Sequence, residues 1–173
     1  SEGPLVIAAQ QSLTGVDSFY WFASGGVQWG EIHGKWSYTQ PMQLGMFPAA
    51  SLAFRQNYIA EAKEPVVYEE RSLEDIFEQK TPLIGESATW DPNRDAGDMP
   101  TESSVDTPVD PLAFGVGPVK VKYGGNAANN KVSPKLDELI DTEGKTITSV
   151  TGQIKLDYAE GVYTVNAPRC QAA

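Results

Sequence analysis

The first third of the chain combines helical segments with one continuous apolar run. The segment PLVIAAQQSL starts with a proline and keeps helical propensity up to Thr14-Gly15, which predicts a helix that ends there. The apolar run VDSFYWF predicts a strand that is buried on both faces, as in a parallel sheet. After a glycine-rich loop, Pro41 begins a second helical stretch, which Pro48 kinks or restarts. This order is typical of an α/β repeat.

The middle of the chain has shorter elements. VVYEE predicts a strand, and SLEDIFEQ predicts a short helix with Ser72 as its N-cap and Asp75 three residues later. From Thr81 to Pro111 the sequence has little periodicity and is rich in Pro, Asp, Thr and Ser. That composition predicts a long loop or linker.

Strand patterns dominate the last third. PVKVKY alternates, GGN indicates a turn, and TITSVTGQIKLDY is predicted to pair with GVYTVNAP across the turn at residues 159–161. KLDELID predicts a polar helical turn, and the final CQAA has no evident partner. The predicted fold class is therefore α+β: an N-terminal helix–strand–helix unit followed by a mainly antiparallel, β-sandwich-like region.

The charge of the chain is concentrated in one place. The net charge of −10 arises almost wholly from residues 61–110, which carry fourteen acidic and four basic side chains. Such an excess argues against a nucleic-acid or anionic-membrane surface as partner, and no apolar run is as long as a membrane span. Cys170 is the only cysteine, so an internal disulfide is excluded.

The apolar run near the N-terminus raises the question of what covers it. A strand buried on both faces needs neighbouring strands, and the pattern indicates no other strand of that kind nearby. We therefore expect the chain to be a segment of a larger protein. An isolated chain would bury the exposed apolar strand by another route, for example by forming a homo-oligomer.

Several stretches resemble one enzyme family. EGPLVIAAQQSLTGVDSFYWF resembles the last helix–strand unit of the (β/α)8-barrel glycoside hydrolases, in particular bacterial β-galactosidase-like and agarase-like enzymes. ESATWDPNRDAGD, PLAFGVGPVKVKYGG and GQIKLDYAEGVYTVNAPRCQ are similar to regions after that barrel. The resemblance implies a last barrel unit at residues 1–63, an acidic connector at 64–115 and an incomplete antiparallel β-domain at 116–173. It also implies an extracellular or periplasmic location.

The resemblance gives the aromatic residues a role. Barrel glycosidases bind substrate at the carboxyl ends of their strands. Trp21 matches, by position, an aromatic that stacks on a sugar ring, and Trp29, His33 and Trp36 would lie in the loop above it. The alternative is that Trp21 belongs to the core and the other two tryptophans pack under the loop, with His33 as a hydrogen-bonding loop residue.

The family's catalytic carboxylates have no counterpart in this sequence. Retaining glycosidases need two carboxyl groups about 5 Å apart, and the family carries them on barrel strands that would precede Ser1. Glu69 and Glu70 would point to opposite sides of a strand and cannot form such a pair. Glu86 and Asp91 are weaker candidates.

The segment DPNRDAGDMPTE has the ligand spacing of a calcium loop. Oxygen ligands stand at positions 1, 3, 5 and 12, namely Asp91, Asn93, Asp95 and Glu102. Position 6 is Ala96 instead of the glycine that the turn favours, so an Asx-turn loop is the alternative. No cofactor other than calcium is indicated.

Three hypotheses about function follow. The first is a fragment of a carbohydrate-active, glycoside hydrolase-like protein that contributes an aromatic wall to a sugar site. The second is a stand-alone carbohydrate-binding or interaction module that uses Tyr123, Tyr158 and Tyr163. The third is a small hydrolase that uses Glu86 or Asp91.

Overall fold

A computed structural model describes residues 3–21, 41–85 and 107–173 of the 173-residue chain. Helices dominate the N-terminal part and strands the C-terminal part, so the predicted α+β class is confirmed. The described helices are α1 (Gly3–Thr14), α2 (Pro41–Leu44), α3 (Phe47–Arg55), α4 (Leu73–Phe77), α5 (Ala113–Val116), a 3-10 turn (Ala127–Asn129) and α6 (Leu136–Leu139).

Helix α1 has the limits that the sequence predicts. Pro4 lies in its first turn, and Gly15 follows it with φ of 72°, a conformation that glycine adopts without strain. Its C-terminal carbonyls are satisfied by later residues, because the Val16 amide donates to Gln11 O at 3.1 Å and the Ala62 amide donates to Leu13 O at 2.9 Å. The end of α1 is therefore fixed partly by the segment near residue 62.

Two proline signals and one capping signal later in the sequence are also confirmed. Pro41 begins α2, and Pro48 lies in the first turn of α3, where its missing N–H is not needed. Helix α4 begins with a capping box: Ser72 Oγ accepts from the Asp75 amide at 3.0 Å, and Asp75 Oδ2 accepts from the Ser72 amide at 3.2 Å.

The first sheet is mixed and has the order β2-β1-β3. It comprises β1 (Val67–Arg71), β2 (Val119–Tyr123) and β3 (Lys131–Val132). The central strand β1 pairs in parallel with β2, from Val67 opposite Val119 to Arg71 opposite Tyr123, and antiparallel with β3. The sequence predicted β1 and β2 as strands, but not their parallel pairing.

The second sheet is an antiparallel meander of five consecutive strands. These are β4 (Ile140–Asp141), β5 (Thr146–Thr148), β6 (Ile154–Asp157), β7 (Val162–Ala167) and β8 (Cys170–Ala172). The predicted pairing of β6 with β7 is confirmed, with Asp157 opposite Val162.

Two details of the predicted C-terminal strands were wrong. The stretch TITSVTGQIKLDY is not one strand, because Ser149 reverses the chain: its hydroxyl accepts from the Ile154 amide at 3.0 Å, and Gly152 has φ of 71°. The final CQAA does have a partner, because β8 pairs with β7 and places Cys170 opposite Ala167.

Two hydrophobic clusters hold these elements together. The first packs the mixed sheet against α5, α6 and β5; its buried members are Val66, Val67, Ile84, Val109, Ala113, Val116, Leu136 and Ile147. The second packs α1 against the meander; its buried members are Ala9, Leu13, Ile59, Ala62, Ile154, Val165 and Ala167. The N-terminal helix is thus covered by strands from the far end of the same chain.

The prediction of a doubly buried strand at VDSFYWF was wrong for the residues that the structure describes. Residues 16–21 lie outside helices and strands, and Phe19 and Tyr20 are 44% and 84% exposed. After Gly15 the segment instead runs beside α1 and α3, where Trp21 packs against Phe47. Aromatic packing on a helix surface therefore replaces the expected sheet pairing.

Candidate functional site

An aromatic cluster forms where the segment after α1 meets α3. The Trp21 ring lies 5.4 Å from the Phe19 ring at 88°, and 5.5 Å from the Phe47 ring at 66°. Both are edge-to-face arrangements, which aromatic rings prefer over direct stacking. Tyr20 projects beside this cluster and is largely exposed.

The cluster borders an apolar cavity of about 160 Å³ between α1 and α3. Its walls are Pro4, Ile7, Ala8, Gln11, Phe19, Trp21, Phe47, Ala50, Ser51 and Phe54. The cavity can accept a group the size of one small ring.

Gln11 is one of the polar residues that line this cavity. Its Oε1 atom is buried, and no group in the described part of the chain donates a hydrogen bond to it. A buried acceptor without a donor is unfavourable. The residue is thus suited to accept a hydrogen bond from a ligand.

A polar depression of about 340 Å³ adjoins the apolar cavity, and both share Gln11 and Phe54. Its lining residues are Gln11, Ser12, Gly15, Val16, Asp17, Phe54, Arg55, Asn57 and Glu61. A few polar groups next to a mainly apolar wall are typical of small-molecule sites. The combination suits a ligand with one apolar face and several hydroxyl groups.

The structure places one of the predicted binding residues in this site, namely Trp21. Trp29, His33 and Trp36 lie outside the described residues. The same holds for the weak catalytic candidates Glu86 and Asp91, and for the predicted calcium ligands Asp91, Asn93, Asp95 and Glu102. Phe47 and Gln11, which the sequence did not single out, complete the described part of the site.

The three tyrosines of the alternative module do not share one sheet. Tyr123 ends the edge strand β2 of the mixed sheet and is 69% exposed. Tyr158 lies in the turn after β6 and Tyr163 lies in β7, where its hydroxyl accepts from Gln10 Nε2 at 3.2 Å. Burial against the second cluster raises the pKa of Tyr163 to about 12. Tyr163 is therefore a packing residue more than a surface contact.

Glu69 and Glu70 lie on opposite faces of β1, as predicted, and both are buried. Glu70 is held by four donors: the Asn126 amide at 2.8 Å, Asn129 Nδ2 and the Tyr68 hydroxyl at 2.9 Å, and Lys122 Nζ at 3.1 Å. These donors, the Asn126 amide first, lower the pKa of Glu70 to about 2. A carboxylate so fully engaged is structural and unsuited to proton transfer.

The described residues contain neither a metal-binding cluster nor a membrane-spanning helix. In residues 3–21, 41–85 and 107–173, no three side chains of His, Cys, Asp or Glu are grouped so that they could hold a metal ion. Over the same ranges, no helix has both the length and the apolar character needed to cross a membrane.

Comparison with known proteins does not assign the chain to a family. No protein family model, no curated protein and no solved structure matches the chain. The geometry of the site is therefore the basis for a functional proposal.

Proposed function

We propose that this chain is part of a carbohydrate-active, glycoside hydrolase-like protein and contributes an aromatic sugar-binding wall. The observation that carries the proposal is the cavity in which the Trp21 cluster lies beside the buried Gln11 Oε1, which no donor among the described residues reaches. The family resemblance of the N-terminal segment supports the same class of ligand.

The chemistry of a sugar ring fits this wall. A pyranose has one face of C–H groups and a rim of hydroxyls. The C–H face packs on the rings of Trp21 and Phe47, and a hydroxyl donates to Gln11 Oε1, which has no donor in the described residues. Arg55, Asn57 and the other polar groups of the adjoining depression bind hydroxyls of a following sugar unit.

In this proposal the chain binds sugar without supplying the catalytic pair. The buried carboxylates on β1 are Glu69 and Glu70, which lie on opposite faces of the strand. A retaining pair needs its two carboxyl groups about 5 Å apart and facing one substrate. The remaining candidates, Glu86 and Asp91, belong to the alternative of a small hydrolase, which Glu86→Gln tests: loss of saccharide hydrolysis in a pure sample would favour it.

Replacing Trp21 tests the sugar-binding wall. We expect Trp21→Ala to weaken oligosaccharide binding at least about tenfold, which corresponds to about 1.4 kcal/mol, because the stacking surface is lost. Gln11→Leu keeps a similar volume but removes the acceptor, and should weaken binding about threefold to tenfold. Isothermal titration calorimetry against a panel of plant and algal oligosaccharides measures both effects.

The matched control is Tyr123→Ala, which removes an exposed aromatic from the other sheet. It should leave the affinity unchanged, and circular dichroism should show that every variant is folded. Loss of binding in Tyr123→Ala but not in Trp21→Ala would favour the stand-alone module. Absence of binding to every oligosaccharide of the panel would contradict both binding hypotheses.

A calcium loop at residues 91–102 is a second, separate part of the proposal, and it rests on the spacing of oxygen ligands alone. If it binds calcium, adding Ca²⁺ should raise the melting temperature, because a ligand of the folded state stabilises it. EDTA should reverse the shift, and Asp95→Ala should abolish it. An unchanged melting temperature in all three samples would dispose of the site.

A further inference from the structure

A second pocket lies beside the central strand β1 of the mixed sheet. Its volume is about 150 Å³, and it is lined by Glu69, Glu70, Arg71, Asp75, Lys80, Thr81, Leu83, Ala127 and Asn130. The lining carries three acidic and two basic side chains, so its formal charge is −1. Leu83 supplies an apolar surface.

All five charged side chains in this lining have an ionic partner within the chain, since Arg71 pairs with Glu69, Lys80 with Asp75 and Lys122 with Glu70. Glu70 accepts four hydrogen bonds, including one from Lys122. Lys80 Nζ lies 2.7 Å from Asp75 Oδ1, and its backbone carbonyl accepts from Arg71 Nη2. Their charges are therefore compensated within the chain.

Glu69 differs from the other carboxylates in that only one of its two oxygens is engaged by the described residues. Oε1 lies 3.3 Å from Arg71 Nη1. Oε2 is buried, and no donor in the described part of the chain reaches it. The side chain as a whole is only 6% exposed. A buried acceptor in this position is costly unless a donor reaches it.

We propose that this pocket binds a small ligand with a primary ammonium group, which donates a charge-assisted hydrogen bond to Glu69 Oε2. A cation with N–H donors supplies the missing hydrogen bond, and a charge-assisted bond to a carboxylate is stronger than one from a neutral donor. The carbon chain of the ligand packs on Leu83. A divalent metal suits the pocket less, because the described residues offer no group of three metal-ligating side chains.

Three small probes of similar size test which property is recognised. Propylammonium has charge and N–H donors, propanol has a donor without charge, and tetramethylammonium has charge without donors. In titrations followed by the backbone amide resonances of Glu69 and Thr81, we expect propylammonium to bind at millimolar concentration. Propanol and tetramethylammonium should each bind at least about tenfold more weakly.

Two variants locate the binding group. Glu69→Gln keeps the shape of the side chain and removes its charge, and should weaken propylammonium binding at least about tenfold. Its matched control is Glu74→Gln on the exposed side of α4, which should bind as the parent chain does. Because Glu69→Gln also disturbs the Arg71 pair, Thr81→Arg serves as a second variant: it blocks the pocket from an exposed position and should abolish binding.

The proposal is overturned if propylammonium causes no shift in the parent chain, or if Glu69→Gln or Thr81→Arg binds it unchanged. It is also overturned if tetramethylammonium binds equally well, because binding would then be general charge attraction. Displacement of propylammonium by an equal concentration of Ca²⁺ would identify the pocket as a metal site and contradict it. Sugar binding at Trp21 has no part in any of these outcomes.

Discussion

Leu13→Ala is expected to lower the free energy of unfolding by about 2–5 kcal/mol, the range for removing a buried leucine side chain. Leu13 is fully buried at the end of α1, in the cluster that also contains Ile154 and Val165 of the meander. Its carbonyl also holds the Ala62 amide. The truncation leaves a cavity between the first helix and the last strands, and urea unfolding followed by circular dichroism measures the loss.

The matched control for this experiment is Leu52→Ala on α3. Leu52 is 52% exposed, so the same chemical change should alter the free energy of unfolding by no more than about 0.5 kcal/mol. Equal effects of the two substitutions would contradict the packing of α1 on the meander. So would an unfolding curve in which Leu13→Ala melts the helical signal separately from the strands.

Local signals in the sequence were sufficient for many elements of the fold. The end of α1 at Thr14-Gly15, the capping box of Ser72 and Asp75, and the hairpin of β6 and β7 were all predicted. In each case the signal and the structure involve neighbouring residues: a glycine with positive φ, a side chain bonded to a backbone three residues away, or a short turn.

Contacts between distant residues were not predictable in this way. The parallel pairing of β1 with β2 joins residues about fifty positions apart in the sequence. No residue pattern in either strand indicates which other strand it pairs with. VDSFYWF was assigned to a buried strand because a short apolar run has no periodicity that separates sheet burial from packing on a helix. The Trp21 ring instead packs against Phe47 of α3, and Tyr20 stays exposed.

The residues of the candidate sugar site also differ in whether the sequence could predict them. Trp21 could be selected from the sequence, because tryptophan near the end of an apolar run is a common binding residue and the family resemblance pointed to it. Gln11 could not be selected, because a glutamine in a helix carries no local signal. Its buried oxygen becomes a candidate ligand acceptor only when α1 packs beside α3 and forms the cavity that Gln11 lines.

The acid stability of the fold is expected to depend on Glu70. Its pKa is lowered from 4.5 to about 2 in the folded chain, so its contribution to stability is complete above about pH 4.5. The contribution is lost as the pH falls from there towards 2, because the unfolded chain takes up the proton first. Asp75, whose pKa is also lowered to about 2, mainly by Lys80, adds to the same loss.

Glu70→Gln isolates the part of this effect that belongs to Glu70. At pH 7 an amide can no longer accept from Lys122, Asn126, Asn129 and Tyr68 together, so the melting temperature should fall by about 10 °C. The difference between parent and variant should shrink as the pH is lowered from 4.5 towards 2, because Glu70 then contributes progressively less to the stability of the parent. Glu74→Gln, which changes an exposed carboxylate on α4, should leave the melting temperature and its pH dependence unchanged. A difference between parent and Glu70→Gln that stays constant from pH 7 to pH 2 would show that the loss comes from packing and not from the charge of Glu70.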